Sequence, residues 1–346
     1  MIVNPIITVN CLESNSETIY LNKIAVCNFE VGYRIVIDNN FTYVSDNDGV
    51  IIIDIDNPVK PKKIGRIELE DGAFGIEIRE HILFIAADSL GLVIANFSDI
   101  NHPEILGQTS STGSGYCIAI YGNICYLGNM GQPMNIFNIT NLTQPTFIKT
   151  LSTYVFDDFI IKGDVLFGAS PNSGLVIFNI SDPINPSLIK TVAGSYGANA
   201  LAIKDEVIYV GCHMYGVKAV DISTLSSATI IDSLDQDDEG EAIGLSITGN
   251  YLCVADNWGV EIINITTPTN IVKVAEYRSG IDAAHDLKTV GNFVFVAKGM
   301  GLGVFEISST SKIYFPPYLY YVIPIICIVI IGGIGLLVVK RKKKYR

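Results

Sequence analysis

Short runs of apolar residues recur at a regular interval along the chain. Val50-Ile-Ile-Ile, Leu92-Val-Ile-Ala and Leu175-Val-Ile-Phe are three of them. A glycine precedes each run, and Asp or Asn follows it. Four or five consecutive apolar residues between turn signals are typical of a strand that is buried on both faces. The pattern therefore predicts many short, fully buried strands.

The framing residues define a repeated unit. The pairs are Gly49–Asp54, Gly91–Asn96, Gly174–Asn179, Gly216–Asp221, Gly259–Asn264 and Gly301–Glu306, with Pro133–Asn138 as a degenerate copy. Their second members are 42, 42, 41, 42, 43 and 42 residues apart. A repeat of about 40–45 residues with four strands per unit is the period of a propeller blade. Seven units predict an all-β, seven-bladed β-propeller.

Each unit is expected to form four strands joined by tight turns. The glycine accepts the positive φ of a hairpin turn, and the Asp or Asn after the apolar run is expected to cap the next turn. The innermost strands begin near Tyr33, Phe74, Tyr116, Phe156, Asn199, Ala242 and His285. The seventh unit has no outermost strand. We therefore expect residues 21–27 to close the ring by pairing with the strand at 303–307.

The turn motifs resemble a known repeat. The run Gly174-Leu-Val-Ile-Phe-Asn-Ile-Ser-Asp-Pro-Ile-Asn-Pro186 is similar to the LVIVD repeat, a family of β-propeller units. Similar runs follow Gly49 and Gly91, and the resemblance extends over about residues 21–309. It is weakest at 223–228, where the turn prolines are lost, and at Pro133. The resemblance implies a propeller and no particular activity.

The composition changes sharply after the ring. Residues 318–339 carry no charge over 22 positions and consist mainly of Ile, Val and Leu. As a helix this segment is about 33 Å long, enough to cross a bilayer core of about 30 Å. The predicted organisation is an N-terminal segment 1–20, the propeller 21–309, a linker 310–317, a single transmembrane helix 318–339 and a basic tail 340–346.

The charges predict the orientation of this helix. Six basic residues follow the span, so the tail is expected in the cytoplasm and the propeller outside, as in a single-pass protein of the cell membrane. Residues 1–20 lack the basic region of a signal peptide. Two interpretations follow: the start is incomplete, which we favour, or the propeller stays in the cytosol. The chain has a net charge of −12, and without the six tail cations the rest carries −18. Such an acidic body argues against nucleic acid as a partner.

Motifs for catalysis are missing from the sequence. The four histidines are scattered, and no P-loop, G-x-S-x-G or H-E-x-x-H motif occurs. The most acidic stretch before the tail is 232–241. It is either a solvated loop or a cation site, because hard cations need several converging oxygen ligands. Ca²⁺ is the only cofactor that this stretch suggests.

Acidic and aromatic residues concentrate in loops that should share one face. These are the loops that lead into the inner strands and the hairpins that end in the repeat glycine, and loops on a rigid scaffold often bind ligands. The candidate ligand-binding residues are Asp46, Asp48, Asp157, Asp158, Tyr196, Asp237, Asp238, Glu239, Glu241, Trp258, His285 and Asp286. Tyr33, Asn199 and His213 belong to the same loops.

Two functions fit these features. The favoured hypothesis is a membrane-anchored surface protein that acts as a binding platform, with a protein, a glycan or a cation on its acidic loop face and the lipid bilayer around 318–339. The alternative is a surface enzyme of the hydrolase or lactonase type, with a metal held over the channel by carboxylates and His285. The acidic residues are spread over many blades, which favours the platform.

Overall fold

The computed structural model describes residues 18–110, 113–151, 153–235, 240–278 and 283–309. Within these ranges the chain forms β-strands and one 3-10 turn at Leu225–Ser227. The strands are β1 (Tyr20–Cys27), β2 (Ile35–Asp38), β3 (Phe41–Asp46), β4 (Gly49–Asp54), β5 (Lys62–Glu68), β6 (Ala73–Arg79), β7 (Ile82–Ala87), β8 (Gly91–Asn96), β9 (Glu104–Thr109), β10 (Gly115–Tyr121), β11 (Ile124–Asn129), β12 (Gln132–Asn138), β13 (Thr146–Leu151), β14 (Asp158–Lys162), β15 (Val165–Ser170), β16 (Gly174–Asn179), β17 (Ser187–Thr191), β18 (Ala200–Lys204), β19 (Val207–Gly211), β20 (Val217–Asp221), β21 (Thr229–Leu234), β22 (Gly244–Thr248), β23 (Tyr251–Asp256), β24 (Gly259–Asn264), β25 (Val272–Arg278), β26 (Ala284–Val290), β27 (Phe293–Lys298) and β28 (Gly301–Ser308).

These strands form seven four-stranded sheets. In six of them, consecutive strands lie side by side as β2–β5, β6–β9, β10–β13, β14–β17, β18–β21 and β22–β25, which are blades one to six. The seventh sheet has the order β1-β28-β27-β26. The predicted all-β, seven-bladed β-propeller is confirmed.

The first strand of the chain completes the last blade. β1 pairs with β28 in antiparallel register, with Tyr20 opposite Ser308 and Cys27 opposite Leu302. Leu21 joins an apolar cluster that also contains Leu287 of β26. The edge of β28 is therefore covered, and the ring is closed by hydrogen bonds between residues almost 300 positions apart.

Glycine marks the repeat for two reasons that act together. Gly49 has φ of +128°, and a Cβ atom there would lie 2.1 Å from the carbonyl oxygen of Ile67 on the neighbouring strand. Gly301 has φ of +107°, and its Cβ would lie 2.2 Å from the oxygen of Cys27. A residue with a side chain meets both a strained backbone and a steric clash at these turns.

In blades one to six, the Asp or Asn after the apolar run caps a turn, as predicted. Oδ1 of Asp54 accepts a hydrogen bond from the backbone N–H of Asp56 at 2.9 Å. The same contact joins Asn96 to Ser98, Asn138 to Thr140, Asn179 to Ser181, Asp221 to Ser223 and Asn264 to Thr266. These Asp and Asn side chains have a structural role, because each accepts a hydrogen bond from a backbone N–H in the turn that follows the strand.

The third strand of each blade packs against both neighbouring blades. In β4, Ile51 and Ile53 join a cluster with Phe295 of the seventh blade. Ile52 of the same strand packs in a cluster with Leu83 of the second blade. Successive side chains of a strand point to opposite faces, so an unbroken apolar run serves two interfaces at once. The core is consequently a series of interfaces around the ring.

The loops separate into an upper and a lower face. On the upper face lie the loops into the inner strands and the hairpins between second and third strands. Their contacts confirm that they share a face, because Leu69 N–H donates to the oxygen of Asp48 at 3.0 Å and Ser89 N–H donates to Oδ2 of Asp71 at 3.0 Å. The lower face carries the hairpins between first and second strands, and Ser308 lies there in a groove with 248–251 and 291–292.

Among the residues that the structure describes, no helix has the length and apolar character needed to cross a membrane. The segment 318–339 lies outside the described residues, as do 310–317, 340–346 and the first seventeen positions. The membrane anchor therefore stays a prediction from the sequence.

Candidate functional site

The inner strands surround a central channel that widens at the upper face into a cavity of about 280 Å³. Each of the seven blades contributes the residue at the start of its inner strand. These residues are Tyr33, Phe74, Tyr116, Asp157, Asn199, Ile243 and His285. Arg34 and His213 complete the lining. This space is named the mouth cavity.

One side of the mouth cavity is aromatic. The ring centroids of His285 and Tyr33 are 6.0 Å apart, those of Tyr33 and Phe74 are 5.1 Å apart, and those of Phe74 and Tyr116 are 5.8 Å apart. These four residues, named the aromatic arc, come from blades seven, one, two and three in order. The ring planes tilt by 41° from Tyr33 to Phe74 and by 41° from Phe74 to Tyr116.

Hydrogen bonds hold the aromatic arc in place. The hydroxyl of Tyr33 donates to Oδ1 of Asn47 at 2.6 Å. Nδ1 of His285 lies 2.8 Å from the carbonyl oxygen of Gly32. The two rings are thus oriented before any ligand arrives, which lowers the entropy cost of binding.

The other side of the mouth cavity is polar. Burial raises the pKa of Asp157 to about 6, although Arg34 and His213 act in the opposite direction. Nδ1 of His213 lies 3.3 Å from Oε2 of Glu241. Asn199 is only 5 % exposed, and its Oδ1 has no hydrogen-bond partner among the described residues. At neutral pH, this side therefore presents a carboxylate and an amide.

Arg34 forms the boundary between the mouth cavity and the channel below. Its Nη2 donates to the backbone oxygen of Asp157 at 2.6 Å. Burial alone would lower the pKa of this guanidinium, but Asp158 and Asp286 raise it above its usual value. Arg34 is therefore a permanent charge that its two carboxylate neighbours balance.

Asp158 and Asp286 connect neighbouring blades. Oδ2 of Asp158 accepts from the N–H of Leu201 at 2.9 Å, and its Oδ1 accepts from Phe159 N–H at 2.9 Å. In the same way, Oδ2 of Asp286 accepts from the N–H of Ile35 in the first blade, and its Oδ1 accepts from the N–H of Leu287. Both candidate ligands thus have their oxygen atoms occupied by backbone donors, and they serve the ring itself.

Below Arg34 the channel continues as a second cavity of about 220 Å³. Burial raises the pKa of Glu77 to about 7, with Lys288 opposing and Asp158 adding to the shift. Nζ of Lys288 lies 3.9 Å from Oδ1 of Asp286. The channel thus contains charges of both signs in a confined space.

Two other candidate residues belong to a hairpin of the first blade. Asp46 is buried and contacts Arg66 through two hydrogen bonds, of 2.9 and 2.5 Å. Its Oδ1 also accepts from the N–H of Asp48 at 3.0 Å. Asp48 itself is exposed, 3.7 Å from Nη1 of Arg66. Asp46 therefore stabilises the hairpin.

The remaining candidates are only partly brought together. Tyr196 and Trp258 lie on the upper face outside the mouth cavity and are 60 % and 38 % exposed. Asp237, Asp238 and Glu239 lie outside the described residues. From the predicted set, the mouth cavity unites Asp157 and His285, and Glu241 reaches it through His213.

Sequence reasoning missed four residues of the mouth cavity, namely Arg34, Phe74, Tyr116 and Ile243. Phe74 and Tyr116 resemble ordinary core residues at the start of a strand, and Arg34 follows a residue of the arc. The signal that identifies Phe74 and Tyr116 is their spacing from Tyr33 along the chain. Positions 33, 74 and 116 are 41 and 42 residues apart, so they occupy equivalent places in successive blades and must face the same channel.

The upper face also carries exposed Met, Tyr and Trp side chains. In the described part of the chain they are Met130, Tyr196, Met214, Tyr215, Trp258 and Met300. All of them lie in the upper-face loops, whereas exposed aliphatic residues such as Val272 and Leu188 lie on outer strands. Aromatic residues and Met are enriched in protein interfaces relative to other surfaces.

Within the described ranges, no group of three His, Cys, Asp or Glu residues is placed to hold a metal ion. The carboxylate–histidine centre of the alternative enzyme hypothesis is thus not formed by these residues. Nδ1 of His285, the histidine in that hypothesis, contacts the carbonyl oxygen of Gly32.

The fold and its channel define a seven-bladed β-propeller built from internal repeats. Four segments of the chain match the LVIVD repeat, at residues 33–68, 157–194, 239–278 and 282–315. These four segments lie in blades one, four, six and seven. No curated protein matches this chain.

Several solved structures share the architecture. The β-propeller domain of Cps50 (Swd1) from Myceliophteria thermophila has a TM-score of 0.66 at 10 % identity, covering 83 % of this chain and 100 % of that one. U3-55K has the same score and identity and covers 83 % and 98 %. The computationally designed Ika8 protein has a TM-score of 0.60 at 12 % identity and covers 82 % and 99 %. Similarity at identities this low shows a shared fold alone.

Proposed function

We propose that this protein is a membrane-anchored, cell-surface β-propeller that binds a partner on its upper face and acts without catalysis. The observation that carries this proposal is the mouth cavity, to which all seven blades contribute a side chain. Ligand pockets are typically concave and partly apolar, with a few polar groups that orient the ligand. The mouth cavity has this composition.

The surroundings of the cavity support a macromolecular partner. The exposed Met, Tyr and Trp residues add apolar surface to the same face as the cavity. Residues of these types often dominate the binding energy of an interface. A partner that inserts one group into the mouth cavity would cover these side chains as it docks.

The charge distribution supports binding over catalysis. Asp158 and Asp286 each accept two backbone hydrogen bonds, one of them from the neighbouring blade, which gives both residues a structural role in the ring. The net charge of −12 favours a basic or neutral partner, such as a protein or a glycan, and disfavours nucleic acid.

The membrane location is supported by the sequence. Residues 318–339 are long and apolar enough to span a bilayer, and the basic residues that follow favour a cytoplasmic tail. A propeller that precedes such a span is then displayed outside the cell.

Site-specific photo-cross-linking tests the proposal. p-Benzoylphenylalanine replaces Tyr215 on the upper face of the full-length protein in cells that express it. The matched control places the same group at Phe147, which is also exposed but lies on the outer strand β13. We expect a discrete cross-linked species from position 215 and none from position 147. Equal yields from both positions would contradict an upper-face binding site.

A further inference from the structure

The mouth cavity offers two kinds of chemistry on opposite sides. Blades seven, one, two and three supply the aromatic arc, and blades four and five supply Asp157 and Asn199. Since these two groups of blades face each other across the channel, a ligand in the cavity contacts aromatic rings on one side. On the other side it meets a carboxylate and an amide, and at the floor of the cavity lies the Arg34 guanidinium, whose charge Asp158 and Asp286 balance.

A bare metal ion does not suit this arrangement. Hard cations bind several oxygen ligands at once. Of the carboxylates at the channel, Asp158 and Asp286 already accept two backbone hydrogen bonds each. Asp157 is the one carboxylate that lines the mouth cavity in the described part of the chain. One carboxylate balances a single positive charge but does not replace a hydration shell.

The tilt between the rings of the aromatic arc favours a rounded ligand group. Neighbouring ring planes differ by 41° at both contacts of Phe74, with Tyr33 and with Tyr116. The three residues line one side of the cavity, and their tilted rings do not share a single plane. A flat sugar ring would stack on one of these planes, whereas a compact, nearly spherical group contacts all three.

We propose that the mouth cavity binds an alkylated ammonium group, such as trimethylammonium, against the aromatic arc and opposite Asp157. Cations of this kind are attracted to aromatic faces within about 6 Å of the ring centroid. The cavity of about 280 Å³ is small for a ligand pocket, so it accepts one such group and leaves the rest of the ligand outside. This inference rests on the proposed function, because it names the chemistry that the upper face recognises.

Calorimetric titration of the purified full-length protein with choline chloride tests this inference. We expect saturable binding, and no binding of the neutral isostere of choline in which a tert-butyl group replaces trimethylammonium. Phe74→Leu keeps an apolar side chain but loses the aromatic face, so Kd should increase roughly 2- to 30-fold. The matched control is Phe147→Leu, which removes an exposed aromatic residue on the outer strand β13, away from the upper face, and should leave Kd unchanged.

Asp157→Asn provides an independent test, because it removes the counter-charge and leaves the aromatic arc intact. It should also weaken choline binding, and unchanged melting temperatures would show that both variants are folded.

Two peptides that differ only in trimethylation of one lysine distinguish the sources of the group. Tighter binding of the methylated peptide than of choline indicates a protein partner, and tighter binding of choline indicates a small molecule.

Equal binding of choline and its neutral isostere would overturn the inference. The same holds if choline fails to bind, or if Phe74→Leu and Phe147→Leu have the same effect. The cross-linking from position 215 is independent of these results. If those cross-links form while choline does not bind, the upper face remains a binding surface and only the ammonium chemistry is wrong.

Discussion

Oδ2 of Asp286 lies 3.1 Å from the backbone nitrogen of Ile35, a residue 251 positions earlier in the chain, and so connects the seventh blade to the first. Its Oδ1 accepts from the N–H of Leu287 at 2.8 Å. Asp158 forms the equivalent pair of contacts between the fourth and fifth blades. In both places a carboxylate bridges two inner strands that share no sheet hydrogen bonds.

Replacing Asp286 with Asn should destabilise the ring. An amide has one acceptor oxygen, so either Ile35 or Leu287 loses its partner in a buried place. An unsatisfied buried donor costs about 1–3 kcal/mol, and we expect a loss of this size in the free energy of unfolding. Thermal or urea unfolding of the full-length protein measures it. Asp48→Asn, at an exposed upper-face carboxylate, is the control, and equal effects of the two changes would contradict the bridging role.

Glu77 should make stability depend on pH. Burial raises its pKa from 4.5 to about 7, so the folded protein holds this proton more tightly than the unfolded chain. The contribution of Glu77 to the free energy of unfolding therefore decreases as the pH rises from about 4.5 to about 7, by roughly 3 kcal/mol at most. Glu77→Gln should remove this loss.

The measurement compares melting temperatures at about pH 5 and about pH 8, on either side of the Glu77 titration. The stabilising effect of Glu77→Gln should be larger at the higher pH. Glu104→Gln, at an exposed position of β9, should show no such trend. A Glu77→Gln effect that is the same at both pH values would show that the carboxyl does not titrate in this window.

The position of the blades follows from the sequence, whereas the role of the channel carboxylates does not. The repeat glycine and the capping Asp or Asn act within one turn, so their spacing reveals every blade. Asp158 and Asp286 look like acidic loop residues because their partners, Leu201 and Ile35, belong to other blades. Contacts between distant segments depend on the closed ring, and local pattern does not encode them.

Removal of residues 1–28 should open the ring. This deletion eliminates β1 and leaves the edge of β28 unpaired, which favours edge-to-edge association. We expect aggregation or loss of cooperative unfolding, as seen by size-exclusion chromatography and thermal melting. Removal of residues 1–17 alone spares β1 and should leave both properties unchanged. A deletion of 1–28 that stays monomeric with unchanged melting would refute closure by β1.

The span 318–339 is predicted to be the sole membrane attachment. A chain that ends at Ser311 should remain in solution without detergent, because it lacks the apolar segment. Fractionation of cells that express this chain and the full-length chain measures the difference. Recovery of the shorter chain in the membrane fraction would reveal another attachment.

The acidic stretch 232–241 leads to a prediction about Ca²⁺. If its carboxylates converge, millimolar Ca²⁺ should raise the melting temperature of the protein, because a ligand that binds only the folded state stabilises it. Replacing Asp237, Asp238, Glu239 and Glu241 with Asn or Gln should reduce this shift. Sodium chloride at equal ionic strength is the control for screening. Identical melting curves in the two salts would identify the stretch as solvated surface.

The pairing of Tyr20 with Ser308 brings the two ends of the ring side by side on the lower face. Anything fused or tethered at either end is therefore attached on the side away from the mouth cavity. The same pairing determines how the ring responds to mechanical force. A force applied between the two ends separates β1 from β28 one hydrogen bond at a time, starting at Tyr20, so the strand pair that completes the propeller is also where tension would open it.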